Sequence, residues 1–224
     1  MRTALTTRTM ASPLANRWAG GLIATLALSA CSTTPPPPTV WLALPAISSA
    51  APEAAQAPTL IVQRLRVPEY LQTSSLRYRD GPNTFAEWPY ARWAERIEVN
   101  LTRHLSQSLQ AQLPNWHVCE APCTAPGAIT VQVAYQSLEI QGPQAQVMAM
   151  AQWQLNAPVR SGQWRHEQAI TGSTAADQVS ALALVNEQLA TELAKSLKDL
   201  KAIEATGHSA PITPPSEPTP SPGA

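Results

Sequence analysis

Charged residues are scarce in this chain of 224 residues, at 13% of the total, which is about half the share of an ordinary soluble protein. Fifteen Lys and Arg balance fifteen Asp and Glu, but Arg2, Arg8 and Arg17 lie in an N-terminal segment that is expected to be removed. Without those three, twelve positive charges face fifteen negative ones, a net charge near −3. No basic patch then remains to neutralise phosphates, so nucleic-acid binding has little support.

Glycine is also scarce, with nine residues, and the chain has no Gly-rich phosphate loop. It also lacks the HExxH zinc motif, the GxSxG nucleophile motif and the EF-hand loop. Carboxylates are sparse, and His104 has no carboxylate or second His three or four residues later. A catalytic site assembled from distant residues stays open as an alternative. The sequence favours a protein that is not an enzyme and that uses no cofactor or metal.

The N-terminus has the organisation of a bacterial export signal. Residues 1–17 carry three Arg and no acid, and residues 18–30 are apolar or small apart from Thr25 and Ser29. A transmembrane helix would need about 20 apolar residues, so residues 1–30 are predicted to be a signal peptide.

The signal ends in Leu28-Ser29-Ala30-Cys31, which resembles the lipobox of bacterial lipoproteins. In that family of signals the chain is cut before the Cys, whose thiol carries diacylglycerol and whose new amino group is acylated. Cys31 is therefore the predicted lipid attachment site. The alternative is an ordinary secretory signal with a chance Cys.

Residues 31–39 are predicted to form a lipidated tether. The segment Ser32 to Pro38 holds four consecutive prolines, cannot build a core and favours an extended polyproline II conformation. Three acyl chains attach a protein to a membrane in an effectively permanent way. Ser32, and not Asp, follows the Cys, and by resemblance to Gram-negative sorting signals this favours the periplasmic side of the outer membrane.

The C-terminal tail, residues 205–224, is expected to be disordered. The segment from Thr206 to Ala224 contains six Pro together with Ser, Thr and Gly, and one acid, Glu217. A role as a polyproline II ligand is the less favoured alternative. The folded domain is then residues 40–204, a length that suits one domain with a single core.

Two segments have helical periodicity. Between Pro89 and Leu113, apolar residues recur every fourth position from Trp93 to Leu109, which predicts an amphipathic helix that ends at Pro114. Thr174-Ala175-Ala176-Asp177 has the form of a capping box, and an apolar stripe follows it as far as Ile203, before Gly207.

Strands are predicted from alternation and β-branched content. The expected strands are 39–44, 59–67, 74–79, 84–88, 116–119, 128–140, 144–155 and 163–170. The turn Asp80-Gly81-Pro82-Asn83 predicts a hairpin, and the last three strands predict an antiparallel meander. Together these elements predict an α+β fold, in which two amphipathic helices pack on one face of a mostly antiparallel sheet.

Cys119 and Cys123 remain once Cys31 is assigned to lipid. An oxidising periplasm favours a disulfide between them, across a short loop. A zinc site would need two more ligands, and His117 alone is nearby in the sequence. A redox-active pair usually has two intervening residues at the start of a helix. The structural disulfide is the favoured interpretation.

Aromatic and Arg side chains concentrate between residues 66 and 97, where six aromatics and five Arg occur. The aromatics could fill the seam between the hairpin and the first helix, which is the interpretation favoured for Trp93. Aromatic and Arg residues are also enriched in the cores of protein interfaces. Both interpretations can hold for different members of the set.

This pattern resembles the PqiC-like family, the auxiliary lipoprotein component of ABC-type transport systems. The matching residues are Val67 to Leu71 for the Val-Pro-x-Tyr-Leu segment, Leu76 to Arg79 for the Tyr-Arg segment, and Tyr90 to Ile97 for the start of a helix. Trp41 stands where the family tends to have Tyr, and Ile97 replaces the usual Leu.

The resemblance implies a subunit without catalytic activity that sits at the outer membrane. There it would dock an MCE-domain protein that spans the periplasm from the inner membrane to move lipids. The residues expected to contribute to docking are Tyr70, Leu71, Arg77, Tyr78 and Tyr90. A homo-oligomer is compatible with this role. Two alternatives stay open: a scaffold or activator of a periplasmic cell-wall enzyme, and a lipid carrier or hydrolase in its own right.

Overall fold

The computed structural model describes residues 35–48 and 57–207, with side chains described up to residue 199. The described residues from Thr39 to Gly207 form one compact unit. The predicted signal peptide, Cys31 and residues 208–224 of the predicted tail lie outside the described residues. No helix within the described part of the chain is long and apolar enough to cross a membrane.

Strands, a helix, further strands and a second helix follow one another along the described chain. The strands are β1 Val40–Leu42, β2 Thr59–Val62, β3 Ser75–Gly81, β4 Thr84–Trp93, β5 His117–Glu120, β6 Ile129–Gln141, β7 Gln146–Asn156 and β8 Val159–Ala169. The helices are α1 Ile97–Gln112 and α2 Ala175–Gly207, and a short 3₁₀ helix, Glu69–Leu71, precedes β3. This order confirms the α+β class.

All of these strands belong to one mixed sheet in the order β1-β4-β3-β6-β2-β5, with β7 beside β6 and β8 beside β7. The hairpin β3–β4 and the meander β6–β7–β8 are antiparallel, as predicted. The short strands differ, because β1 pairs with β4, and β2 with β5 and β6, in parallel. Side chains alternate in the same way in both kinds of pairing, so the sequence pattern does not distinguish a parallel strand pair from an antiparallel one.

A bulge in β6 keeps one face of the sheet apolar along its whole length. The pairing of β6 with β7 shifts between Tyr135 and Ser137. Buried positions therefore change from odd numbers, ending at Tyr135, to even numbers at Leu138 and Ile140. We call this buried side the core face and the opposite side the open face.

Both helices pack on the core face and enclose a single hydrophobic core with it. The apolar stripe predicted for α1 is buried, with Leu101, Leu105 and Leu109 at 0% exposure. The stripe of α2 is buried in the same way at Val185, Leu189 and Leu197. Burial of these side chains supplies most of the favourable free energy of folding.

The predicted start of the first helix is wrong, because residues 89–93 belong to β4 and α1 begins at Ile97. The main chain of this segment pairs with two strands, at Leu42 opposite Trp93 and at Ser75 opposite Arg92. Trp93 lies four residues before Ile97, so it extends the helical period by coincidence. Its side chain is nevertheless 5% exposed, which confirms its prediction as a core residue.

The predicted capping box at the start of α2 is confirmed. The Asp177 amide donates to the Thr174 hydroxyl oxygen at 3.2 Å, and the Thr174 amide donates to the Asp177 carboxylate at 2.8 Å. Each side chain satisfies a main-chain donor that the helix leaves without a partner.

A buried polar network links the two helices to the sheet through Asn186, which is 0% exposed. The Tyr135 hydroxyl donates to the Asn186 Oδ1 atom at 3.0 Å. The Asn186 side-chain amide donates to the Leu101 carbonyl at 3.0 Å and lies 3.2 Å from Nδ1 of His104. Burial raises the pKa of Tyr135, so its hydroxyl stays protonated and remains a donor.

His104 should make the folded state less stable in mild acid. Burial lowers the pKa of His104 to about 4, against an ordinary value of 6.5. As the pH falls from 6.5 towards 4, the unfolded chain binds a proton that the folded chain excludes. The free energy of unfolding should therefore drop by up to about 3 kcal/mol across this window. Urea denaturation at a series of pH values measures this drop.

One variant isolates the contribution of His104 to this pH dependence: His104→Gln should flatten the curve of the free energy of unfolding between pH 6.5 and 4. An unchanged slope in His104→Gln would assign the acid sensitivity to other groups.

Candidate interaction surface on the hairpin

Two of the five expected docking residues, Tyr70 and Arg77, are in contact, and both side chains are partly buried. Tyr70, in the 3₁₀ helix, and Arg77, on β3, meet through a 3.2 Å hydrogen bond from the Arg77 Nη1 atom to the Tyr70 carbonyl. Leu71 is 8% exposed and belongs to the core. Tyr78 points to the opposite side of β3 from Arg77, since neighbouring side chains of a strand alternate.

Tyr90 occupies an irregular part of β4. Four residues of β4 lie between the partners of Arg77 and Ser75, where β3 has the single residue Leu76. Tyr90 has a φ of 56°, a left-handed conformation that few residues other than Gly adopt, and it is 46% exposed. It directly precedes Ala91, the partner of Val40, and so lies beside β1.

Aromatic rings and an ion pair hold Tyr70 in place. The rings of Tyr70 and Phe85 stack with centroids 4.9 Å apart, and the Arg79 guanidinium lies 4.4 Å from the Phe85 centroid. Arg79 also donates two hydrogen bonds to the Glu139 carboxylate, at 2.6 and 2.7 Å. The Tyr70 hydroxyl donates to the same carboxylate at 3.4 Å. These contacts fix the 3₁₀ helix to β3, β4 and β6.

A second ion pair lies beside the first. Arg77 donates to Glu87 from Nε at 3.2 Å and from Nη2 at 3.1 Å, across the β3–β4 pair. Ser75 donates from its hydroxyl to the same carboxylate at 2.9 Å, and Arg92 contacts the Ser75 hydroxyl in turn. We call the set Tyr70, Arg77, Arg79, Phe85, Glu87 and Glu139 the hairpin surface.

Both carboxylates of the hairpin surface stay ionised at neutral pH. The hydrogen bonds from Arg79 lower the pKa of Glu139. The pKa of Glu87 is also lowered, first by the Ser75 hydroxyl and then by Arg77. Partial burial raises the pKa of Tyr70, so its hydroxyl stays neutral. The surface therefore presents two Arg and two carboxylates of balanced charge around a pair of stacked rings.

Tyr78 forms a separate contact on the other side of the hairpin. Its ring meets Trp88 edge to face, with centroids 5.8 Å apart, and both side chains are half-buried against the core. A Cβ at Gly142 would lie 2.8 Å from the Tyr78 ring, so the turn after β6 needs a Gly to admit this ring. Tyr78 is therefore partly buried against the core, as Tyr70 is.

Cys119 and Cys123 are joined by a disulfide, with their Cα atoms 6.1 Å apart. The bond closes the turn that follows β5, on the far side of β2 from the hairpin. The structure thus places these cysteines away from Tyr70 and Arg77. Within the described residues, no group of three or more His, Cys, Asp or Glu is arranged to hold a metal ion.

The cavities we find in the described chain are shallow or very small. A depression of about 450 Å³ lies on the open face beside Arg66, Gln152 and Gln163. A second of about 370 Å³ lies at the start of α1. Under the hairpin, the space between Leu71, Leu138 and Leu182 measures only about 10 Å³.

The sequence pointed to the region of the hairpin surface but missed four of its six members. Arg79 could have been found from alternation, because Arg77 and Arg79 share one side of β3. Their partners Glu87 and Phe85 depend on a register shift between Arg79 and Gly81, which the sequence does not mark. No local signal marks Glu139, which comes from β6, 60 residues after Arg79.

The described residues thus define an α+β domain with an ordered aromatic and charged surface, and solved structures share this fold. The crystal structure of an uncharacterized protein matches with a TM-score of 0.63 at 18% identity, over 72% of this chain and 99% of the other. Protein XCC0632 from Xanthomonas campestris, of the family DUF330, matches with a TM-score of 0.55 at 13% identity, over 75% of this chain and 99% of the other. At these identities the likeness concerns the fold.

The family model of the ABC-type transport auxiliary lipoprotein component matches residues 42–194. The chain belongs to this family, in agreement with the resemblance carried by the motifs from Val67 to Ile97. The family groups components of transport systems and is not an enzyme family. A search among curated proteins gives no match to the chain.

Proposed function

We propose that this protein is the outer-membrane lipoprotein subunit of an MCE/ABC-type envelope lipid-transport system. It would dock the MCE-domain protein that spans the periplasm, and so support membrane integrity. The observation that carries the proposal is the hairpin surface, a preorganised aromatic and charged patch on a domain of the transport auxiliary family.

The geometry of the hairpin surface suits a protein partner. Tyr70 and Phe85 stack on each other, and Arg79 covers Phe85, so these side chains lose little conformational freedom on binding. Aromatic and Arg side chains supply most of the binding energy in protein interfaces. Phe85 is 38% exposed and Glu87 has 46% of its side chain exposed, which leaves surface for a partner to cover.

Of the five expected docking residues, the proposal uses Tyr70 and Arg77, which are in contact with each other. Leu71 and Tyr78 pack within the domain, and Tyr90 lies beside β1. Docking by this proposal therefore depends on the residues around Tyr70 and Arg77, together with Arg79 and Phe85. Cys31 would hold the domain at the outer membrane, with residues 31–39 as the spacer.

A packed core under the hairpin favours docking over the carrier alternative. The space between Leu71, Leu138 and Leu182 measures about 10 Å³, roughly the room that a single water molecule needs, so no acyl chain fits there. The remaining alternative is a scaffold for a cell-wall enzyme. It has the same lipid anchor as the docking proposal, but its partner is a cell-wall enzyme in place of an MCE-domain protein.

Reversing the charge of Arg77 should weaken partner binding at least about tenfold, the effect of losing one interface hot spot. Arg77→Glu places an acid beside Glu87, and Tyr70→Ala removes the stacked ring. Full-length lipidated protein, tagged and solubilised in detergent, is purified with its partners, and the MCE-domain protein is quantified by mass spectrometry.

Arg165→Glu is the matched control, because Arg165 lies exposed on β8, away from the hairpin, and undergoes the same change of charge. It should retain the partner. Equal recovery of the partner with Arg77→Glu and Arg165→Glu would overturn the docking surface. Recovery of a cell-wall synthase in place of an MCE-domain protein would replace the proposed function with the scaffold.

A further inference from the structure

The outer edge of β1 exposes two apolar side chains that the hairpin surface does not use. Val40 is 53% exposed and Trp41 is 65% exposed, whereas Leu42 is buried. β1 stands at one end of the sheet and pairs within the described chain with β4 alone. Burial of an indole ring contributes much free energy, so an indole left in water at a sheet edge suggests that another surface covers it.

The neighbours of Trp41 on β4 are also amphipathic. Trp41 pairs in register with Arg92, so both side chains leave the sheet on the same face, and the Arg92 side chain is 40% exposed. Tyr90 is 46% exposed and precedes Ala91, the partner of Val40. The edge thus combines Trp, Tyr, Val and one cation.

The position of β1 in the chain indicates what covers this edge. Nine residue steps separate Cys31 from Val40, and a polyproline II chain extends about 3.1 Å per residue. A polyproline II tether of this length therefore reaches about 28 Å, and β1 is the part of the domain with the shortest covalent path to the anchor. This step rests on the proposed lipid attachment at Cys31.

The chemistry of the edge matches the surface of a bilayer. Trp and Tyr concentrate where the hydrocarbon of a membrane meets the headgroups, because their rings are apolar and carry a polar atom. Arg contributes a favourable interaction with lipid phosphates. We infer that Val40 and Trp41 enter the headgroup region of the leaflet that holds the acylated Cys31, and that they set the orientation of the domain on the membrane.

This orientation places the hairpin surface close to the membrane. The surface lies mainly on β4 and β3, the first and second strands inward from β1. Neighbouring strands are about 4.8 Å apart. A partner docked on the hairpin surface would then end next to the bilayer that holds the anchor.

Quenching by brominated lipids tests the contact. Full-length lipidated protein is reconstituted into phosphatidylethanolamine and phosphatidylglycerol vesicles, with or without phosphatidylcholine that carries bromine near the top of its acyl chains. Bromine quenches only indoles that touch the lipid. The wild-type protein should lose part of its Trp fluorescence, and Trp41→Phe should abolish most of that loss. Trp164→Phe is the control, because Trp164 lies on β8 and packs against the core.

Each other outcome contradicts the inference in a different way. Equal quenching in the wild-type protein and in Trp41→Phe overturns the contact of Trp41 with lipid. Protection of Trp41 from acrylamide without quenching by bromine assigns the edge to a protein, such as a second copy of the chain. Protein that fails to float with the vesicles overturns the anchor at Cys31, and this inference with it. Floating protein with no bromine quenching overturns this inference alone.

Discussion

Replacing Asn186 with Ala should lower the free energy of unfolding by about 2–4 kcal/mol, a large loss for a single side chain. Asn186 is completely buried and joins Tyr135 on the sheet to Leu101 and His104 on α1. Its loss leaves the Tyr135 hydroxyl buried without an acceptor. A hydrogen bond contributes about 1 kcal/mol net, and a buried polar group left unpaired costs a further 1–3 kcal/mol or so.

Urea denaturation of the wild-type protein and of Asn186→Ala measures this difference. Gln188→Ala is the matched control, because Gln188 lies two residues along the same helix and is exposed. The control should change the free energy of unfolding by less than about 0.5 kcal/mol. A loss of under about 1 kcal/mol in Asn186→Ala would mean that the network contributes little to stability. That outcome would assign the stability of the helix pair to hydrophobic packing alone.

The sequence pattern indicates part of the buried polar network around Asn186: which side chains are buried, but not which of them are in contact. Asn186 lies four residues after Leu182 and three before Leu189, so it stands on the apolar stripe of α2. His104 stands in the same way on the stripe of α1, three residues after Leu101. Periodicity therefore predicts that both side chains are buried. It cannot predict that they meet, because 82 residues separate them and the contact depends on how the helices pack.

The boundaries of the two helices show what a local signal contributes. Thr174 and Asp177 form a capping box that marks the start of α2, and the helix begins at Ala175, the residue after Thr174. The start of α1 has no such signal, since Arg96 makes no side-chain cap. Periodicity alone then extended the helix back to Trp93. The pairing of β4 with β1 and β3 outweighed that pattern, because it satisfies main-chain groups of three strands at once.

The hairpin surface also combines contacts between residues close in sequence with contacts between residues far apart in sequence. Residues of the β3–β4 hairpin are close in sequence, so the turn predicts that β3 and β4 pair. A register shift between Arg79 and Gly81 moves the pairing by one position, so the turn alone does not predict that Arg77 faces Glu87. The position of Tyr78 on the core side of β3 follows from alternation, once β3 is known to have a core face. The contact of Arg79 with Glu139 depends on β6 lying beside β3, which no local pattern predicts.

Replacing Cys31 with Ala should abolish lipid attachment completely. The thioether to diacylglycerol forms on a thiol, and Ala offers no nucleophile at the position of the cut. Cys119 and Cys123 are tied to each other in a disulfide and cannot substitute for it. Cells grown with an alkyne analogue of palmitate should label the wild-type protein and leave Cys31→Ala unlabelled. A double variant, Cys119→Ser with Cys123→Ser, is the control and should keep the label.

Lipid attachment at Cys31 and sorting to the outer membrane can be tested separately with one further substitution, Ser32→Asp. By resemblance to Gram-negative sorting signals, Ser32→Asp should keep the palmitate label but move the protein from the outer-membrane to the inner-membrane fraction of a sucrose gradient. Label that persists in Cys31→Ala would overturn the attachment site itself. Labelled Ser32→Asp protein in an unchanged fraction would leave the anchor intact and overturn the sorting argument. The proposed docking role needs both results, because only an outer-membrane anchor places the hairpin surface at the far end of a conduit from the inner membrane.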